Sequence, residues 1–230
     1  MTQESPYGFE TLAIHAGAAP DPATGARSTP IYQTTAYVFD DADHAASLFN
    51  LQDYGYIYSR LGNPTVSVLE ERVAALEGGR GATATASGHA AQMLAMFTLM
   101  EPGASFVAAN KLYGGSVTQF MRTFQKFGWD CEMVNVDDFA AVEAALKKPT
   151  VKALFCESLA NPGGVISDLE PLAELAHAAG VPLIVDNTMA SPALCRPFEW
   201  GADIVIHSTT KFLSGHGNAM GGMVVDSGNF

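Results

Sequence analysis

A chain of 230 residues, 48% of them apolar, can bury a sizeable core as one large domain or two small ones. The formal charge of −12 comes from 24 acids and 12 basic residues scattered along the chain, without the Lys/Arg stripe that would mark a nucleic-acid partner. No basic leader precedes an apolar run, and no apolar stretch reaches the roughly 18 residues that would cross a bilayer, so a cytoplasmic protein with no membrane partner is expected.

Residues 1–62 show little apolar periodicity and are rich in Pro, Gly, Thr and aromatics, as in PDPATGARSTPIYQTTAYVF and YGYIYSRLGNP. This predicts an extended arm. An arm with so many Tyr and Phe side chains cannot bury them itself, which favours packing on a neighbouring subunit. Asn63 as N-cap and Pro64 at the first helical position then open a helix that puts Val66, Leu69, Val73 and Leu76 on one face and stops at Gly78.

From there, short apolar runs alternate with amphipathic stretches. ATATA precedes HAAQMLAMFTLM, SFVAAN precedes GSVTQFMRTFQKFG, CEMVNV precedes DFAAVEAALKK, and VKALFCE precedes LEPLAELAHAAG. VPLIVD, DIVIHS and GGMVVD close the series. The pattern predicts an α/β domain over residues 63–230, a mostly parallel sheet with helices on both faces. GGMVVD reads as a core strand with no helix after it, so the chain is expected to be truncated. In such sheets ligands bind at the carboxyl ends of the strands, which makes the residues just after each strand the ones to inspect.

The first strand ends at Ser87-Gly88-His89, where a helix N-terminus offers backbone N–H groups to an anion. An ordinary strand-to-helix turn capped by Ser87 fits the local pattern equally well. SFVAAN leads to Tyr113 and two glycines, an aromatic able to stack on a flat ring. VKALFCE leads to Glu157, Ser158 and Asn161. VPLIVD ends in Asp186, a carboxylate emerging from an apolar run, followed by Asn187 and Thr188. DIVIHS leads through Ser208, Thr209 and Thr210 to Lys211, then to the glycine-rich FLSGHGNAMGG. Hydroxyls bind phosphate, and an amine condenses with an aldehyde; a carboxylate against a pyridine nitrogen keeps that nitrogen protonated. Polar groups ending several consecutive strands mark one site.

Cys131, Cys156 and Cys195 lie too far apart for a disulfide framework or a zinc cage, and each reads as a small buried hydrophobe. The histidines have no metal-ligand spacing, so no metal is expected; His207, inside a strand pattern, reads as a packed residue. A nucleotide-binding α/β protein is the rival of another class, but no G-x-x-x-x-G-K-[ST] occurs, and GHGNAMGG does not follow a first strand as G-x-G-x-x-G would.

In this order, YSRLGNPT at 58–65, ASGHAAQ at 86–92, LYGG at 112–115, ESLANP at 157–162, DNT at 186–188 and HSTTKFLSGHG at 207–217 resemble the pyridoxal 5′-phosphate (PLP) enzymes of Cys/Met metabolism. The resemblance implies a fold of the type I PLP-dependent transferases. It implies that Lys211 carries the cofactor as a Schiff base and acts with Tyr113 in catalysis, that Asp186 pairs with the pyridine nitrogen and that Tyr113 stacks on the ring. Gly88, His89, Ser208 and Thr210 would hold the phosphate, Asn161 would lie near the phenolic oxygen and the substrate carboxylate, and Glu157 would stand near them. Tyr58 and Arg60 would reach the phosphate of an adjacent subunit, in a homo-oligomer, a tetramer built from dimers that share active sites. Family members run on into a C-terminal domain that supplies an arginine for the substrate carboxylate.

Within that family, the SGHAAQ form, the GHG after the lysine segment and VVDSGNF point to γ-replacement on O-acetyl-L-homoserine by sulfide or a thiol such as methanethiol, giving homocysteine or methionine and acetate. Cystathionine γ-synthase and methionine γ-lyase chemistries use the same residues and stand as alternatives. A PLP-binding fragment or subunit without turnover is a third.

Overall fold

The computed structural model describes residues 7–230, so residues 1–6 of the expected arm lie outside the described residues. The chain divides into two compact units, residues up to Arg72 and residues from Val73 to Phe230.

The first unit corrects the expectation of a purely extended arm, because it contains helices α1 (Phe9–His15) and α2 (Ala42–Phe49). Asp41 caps α2, its carboxylate accepting the His44 N–H at 2.7 Å, and the run ADHAASLF contains no breaker. Both helices are too short to show a periodic apolar face, and α1 buries no residue while α2 buries only Leu48. The remainder of the described residues is extended chain and turns, with a bridge between Ala36 and Tyr58. Asn63 anchors it: its amide donates to the Tyr32 carbonyl at 2.9 Å while its oxygen accepts the Thr65 N–H at 2.9 Å, capping α3 (Pro64–Glu77). Gly78, at φ +79°, ends that helix where a side chain would be strained. The expected apolar face of α3 holds only in its C-terminal half. Val73 and Leu76 are buried with Ala74 and Glu77, whereas Val66 and Leu69 are 40% and 45% exposed.

The second unit is built on a seven-stranded sheet. In chain order its elements are β1 (Gly81–Thr85), α4 (Gly88–Leu99), β2 (Ser105–Ala109), α5 (Gly114–Thr118), β3 (Asp130–Val134), α6 (Phe139–Leu146), β4 (Val151–Glu157), α7 (Leu169–Ala178), β5 (Leu183–Asp186), α8 (Ser191–Leu194), β6 (Ile204–His207) and β7 (Gly222–Asp226). The strand order is β1-β7-β6-β5-β4-β2-β3. The pairings among β2 to β6 are parallel; β7 runs antiparallel between β1 and β6, so GGMVVD is a core strand and the one reversed member.

Successive side chains of a strand face opposite sides, and the core follows that rule. Val205, Met223 and Val225 pack with Val73 and Ala74 of α3, whereas Ile206 and Val224 belong to the larger cluster that includes Ala91 and Met96 of α4. Helices therefore cover both faces, as predicted. Aromatic rings fill the larger cluster: Phe120 lies edge-on to Phe106 at 5.0 Å and to Phe155 at 4.9 Å.

Cys156 is fully buried, while Cys131 and Cys195 are only partly so. Burial pushes the thiols of Cys131 and Cys156 up to about 12 and raises that of Cys195, so none is a nucleophile at neutral pH. Among the described residues no group of three or more His, Cys, Asp or Glu is placed to hold a metal, and no helix is long and apolar enough to cross a membrane.

Candidate active site

The topology locates the site before any side chain is considered. The chain leaves β2 for the edge strand β3, then returns to the other side of β2 to form β4, so connections diverge where β2 and β4 lie side by side. A crevice opens at the carboxyl ends of such a pair. A cleft of about 670 Å³ lies there, a size suited to a small-molecule ligand. Eight of the ten expected site residues line it: Gly88, His89, Tyr113, Asn161, Asp186, Ser208, Thr210 and Lys211. Glu157 lines it too. Tyr58 and Arg60 belong to the N-terminal unit, where the Arg60 guanidinium sits 5.8 Å from the centre of the Tyr58 ring.

At the end of β1, Ser87 in extended backbone caps α4, its hydroxyl accepting the Ala90 N–H at 3.1 Å. The N–H groups of Gly88 and His89 find no acceptor among the described residues and border the cleft. A Cβ at position 88 would stand 2.8 Å from Cβ and 3.1 Å from Cα of Ser208, so only glycine lets the start of α4 approach the loop after β6 this closely. The result is an anion cradle of helix N–H groups and the Ser208 hydroxyl. Thr210 borders the cleft but spends its hydroxyl on the loop, donating to the Gly221 carbonyl at 3.2 Å and accepting the Gly221 N–H at 3.1 Å.

Asp186, at the end of β5, accepts at Oδ1 from the Thr188 N–H (3.0 Å) and at Oδ2 from the Gln92 side-chain amide (3.3 Å). The same Gln92 amide donates to Ser116 Oγ at 2.9 Å, which orients the carboxylate from α4 and α5 together. Gln92 escaped the sequence reading. Its signal was a polar residue one helical turn after Gly88 in a mostly apolar helix, and it is 2% exposed. Lys211 reaches the cleft from the first turn after β6, and no ion pair engages its ammonium among the described residues.

Glu157 and Asp186 are register neighbours on β4 and β5. Glu157 Oε1 accepts the Tyr113 N–H at 2.7 Å and Oε2 accepts the Asn161 N–H at 2.9 Å, so one carboxylate ties the loop after β2 to the loop after β4. Burial pushes Glu157 up to about 7 against those two donors, with Asp186 adding to the rise. The Tyr113 ring lies beside the His89 ring, centroids 6.0 Å apart. Gly115 makes that possible, since its Cβ would meet both rings within 2.7 Å.

A sheet of this topology with an anion cradle, an oriented carboxylate and a free lysine amine at its carboxyl edge defines a cofactor-binding domain of the type I PLP-dependent fold. The family model for Cys/Met metabolism PLP-dependent enzymes matches residues 10–230, and the chain belongs to that family. The O-acetyl-L-homoserine sulfhydrylase of Leptospira meyeri is 50% identical over 221 residues, which cover 96% of this chain and 50% of that protein. The homocysteine synthase of Schizosaccharomyces pombe is 50% identical over 231 residues, covering 100% and 53%. The chain thus spans about half the length of the curated relatives it matches. Among solved structures, a provisionally assigned O-acetylhomoserine (thiol)-lyase of Campylobacter jejuni that contains N′-pyridoxyl-lysine-5′-monophosphate superposes with a TM-score of 0.93 at 40% identity, over 97% of this chain and 55% of that one.

The residues present fit PLP, the cofactor of the family. Its phosphate matches the cradle that excludes a Cβ at position 88, its protonated pyridine nitrogen matches an acceptor carboxylate already held by two donors, and its aldehyde matches the unpaired Lys211 amine.

Proposed function

We propose that this chain binds PLP on Lys211 and serves γ-replacement on O-acetyl-L-homoserine, in which sulfide or a thiol such as methanethiol takes the place of acetate to give homocysteine or methionine. The observation that carries the reading is the meeting of Lys211, Asp186 and the Gly88–Ser208 cradle in one cleft. Bound there, PLP supplies an electron sink for the pair left when a proton leaves Cα of the amino-acid substrate. The protein's residues do the rest. The Lys211 amine would hold the cofactor and, when free, would take the Cα proton and serve as acid and base in the following transfers. Asp186 keeps the pyridine nitrogen protonated, and the N–H groups of Gly88 and His89 with the Ser208 hydroxyl fix the phosphate. Thr210 shapes the loop that carries Lys211 and joins the phosphate contacts when its hydroxyl turns from Gly221. Tyr113 would cover the ring, and Asn161 would serve the phenolic oxygen and the substrate carboxylate.

The N-terminal arm, residues 1–62, would dock on a neighbouring subunit and deliver Tyr58 and Arg60 to that subunit's phosphate site, in a cytoplasmic homo-oligomer of paired dimers. The exposure of Ile31, Val38 and Tyr54, each at least 80% accessible, supports that reading.

The test is spectroscopic, then chemical. A visible band that borohydride bleaches, with the label found on Lys211 by mass spectrometry, is expected; a protein that stays colourless with added PLP overturns the proposal. Assays of O-acetylhomoserine with sulfide, with cysteine, and of methionine alone then separate sulfhydrylase from cystathionine γ-synthase and methionine γ-lyase activity, and turnover of none of them leaves a PLP-binding, non-catalytic chain.

A further inference from the structure

On the face of the sheet opposite the cleft's carboxylates lies a second polar row that the reaction does not use. Ser158, Asn187 and His207 each stand one residue beyond the last paired position of the row formed by Glu157, Asp186 and Ile206, so their side chains point the other way. All three are buried, at 4%, 0% and 0% exposure, and so is Glu77 of α3 at 0%. His207 Nε2 and Glu77 Oε1 share a hydrogen bond of 2.5 Å, and the Asn187 amide donates to the same oxygen at 2.9 Å and to the Cys195 carbonyl at 2.9 Å. The Ser158 hydroxyl donates to Asn187 Oδ1 at 2.7 Å. Two side chains thus bond one buried carboxylate directly, and Ser158 joins the network through Asn187. Oε2 of Glu77 and Nδ1 of His207 have no hydrogen-bond partner among the described residues.

A buried polar cluster with unsatisfied atoms is a poor way to stabilise a core, which apolar residues of similar volume would serve as well or better. Its place explains its chemistry. Asn187 follows Asp186, His207 precedes Ser208 and Ser158 follows Glu157, so each member is covalently joined to a residue of the cleft. The parallel pairing of β4, β5 and β6 ends with the row just before these positions, and from there side-chain bonds join the remaining backbone bonds in fixing where the chain goes. We infer that Glu77, through Asn187, His207 and Ser158, is a positioning residue that sets the placement of the Asp186 carboxylate and the Ser208 hydroxyl for the pyridine nitrogen and phosphate of the cofactor. The inference rests on the PLP reading proposed above.

The test uses the holoenzyme of the protein and variants Glu77→Leu, Glu77→Gln and Ser158→Ala, with Val205→Ala as a core variant on the same face. Glu77→Leu and Ser158→Ala should raise the PLP dissociation constant by about tenfold and weaken the circular dichroism of the visible cofactor band, which reports how the ring is held. Glu77→Gln keeps an acceptor for Asn187 and His207 and should restore most of both readouts. Val205→Ala should lower thermal stability and leave the band unchanged. Wild-type affinity and band shape in Ser158→Ala and in Glu77→Leu overturn the inference, as does an equal change of the band in Val205→Ala. If Glu77→Leu does not fold, Ser158→Ala decides alone. Failure of the unsubstituted protein to take up PLP sinks the cofactor reading and this inference together, whereas normal uptake with indifferent variants sinks only the inference.

Discussion

Replacing Gly88 by alanine probes the phosphate cradle with a single carbon. The new Cβ would sit 2.8 Å from Ser208 Cβ, 3.1 Å from its Cα and 3.3 Å from its Oγ, where ordinary contact begins near 3.4 Å. Helix α4 and the loop after β6 must therefore part by about half an ångström or more. Overpacking of that kind costs about 1–3 kcal/mol, and alanine's better helix propensity returns up to ~1 kcal/mol of it. The cofactor-free protein should lose at most about 3 kcal/mol and remain folded. The anion site suffers more, because a hydrogen bond of about 2.9 Å stretched by half an ångström leaves the useful range. Losing one charge-assisted bond to phosphate removes about 1.5–3 kcal/mol, which is roughly 10- to 150-fold in PLP affinity. Titrating cofactor-free protein with PLP, beside a thermal melt of the same sample, separates the two effects. A folded Gly88→Ala variant that binds PLP within twofold of the parent would refute the cradle.

Three further outcomes follow from the same geometry. Glu157, raised by burial from 4.5 to about 7, holds its proton longer in the folded than in the unfolded chain, so its contribution to stability is greatest below about pH 4.5 and is lost as pH rises towards 7. Between pH 5 and 8 the parent should lose about 2–3 kcal/mol relative to Glu157→Gln in denaturant titrations; parallel pH curves would contradict the assignment. Gln92→Leu removes the side-chain donor to Asp186 and should weaken PLP binding about tenfold in equilibrium dialysis, with unchanged affinity as the refuting result. Phe120→Ala opens the aromatic cluster with Phe106 and Phe155 and should cost about 3–5 kcal/mol of unfolding free energy without altering the cofactor's spectrum in the protein that remains folded.

The cleft was legible in the sequence because strands buried on both faces are continuously apolar, so the first polar residue after each run stands out. Asp186 is found in that way, Lys211 stands a few polar residues past the next such run, and the glycines at 88 and 115 mark where backbone and rings come too close for a Cβ. Helices α1 and α2 were not legible. With seven and eight residues and one buried side chain between them, they leave no periodic trace among the prolines and glycines that surround them. The reversed β7 was hidden for a different reason, since an antiparallel strand buried on both faces carries the same apolar run as a parallel one. Glu77 and His207 stand 130 residues apart, and nothing in a helix carboxylate or a strand histidine announces its partner. Only the packing of α3 on β6 and β7 joins them.

Where strand pairing stops, something else must hold the crevice open at a fixed width. Between β2 and β4 that task falls to Glu157, whose two oxygens each accept one backbone N–H, from Tyr113 on one side and Asn161 on the other. An amide in its place would offer one acceptor and turn donors towards the second N–H, so the stitch requires a carboxylate. The same carboxylate stands beside Asp186 in the ladder, and the two are distinguished by their partners. Asp186 is held by one side-chain amide and one turn N–H and retains acceptor capacity for a ligand, whereas Glu157 spends both oxygens on backbone. Because burial pushes Glu157 up to about 7, its ionisation couples the fit of Tyr113 and Asn161 around the cleft to the surrounding pH. Two adjacent acids on one sheet edge thus divide the work, one keeping acceptor capacity towards the cleft and the other tying its walls together.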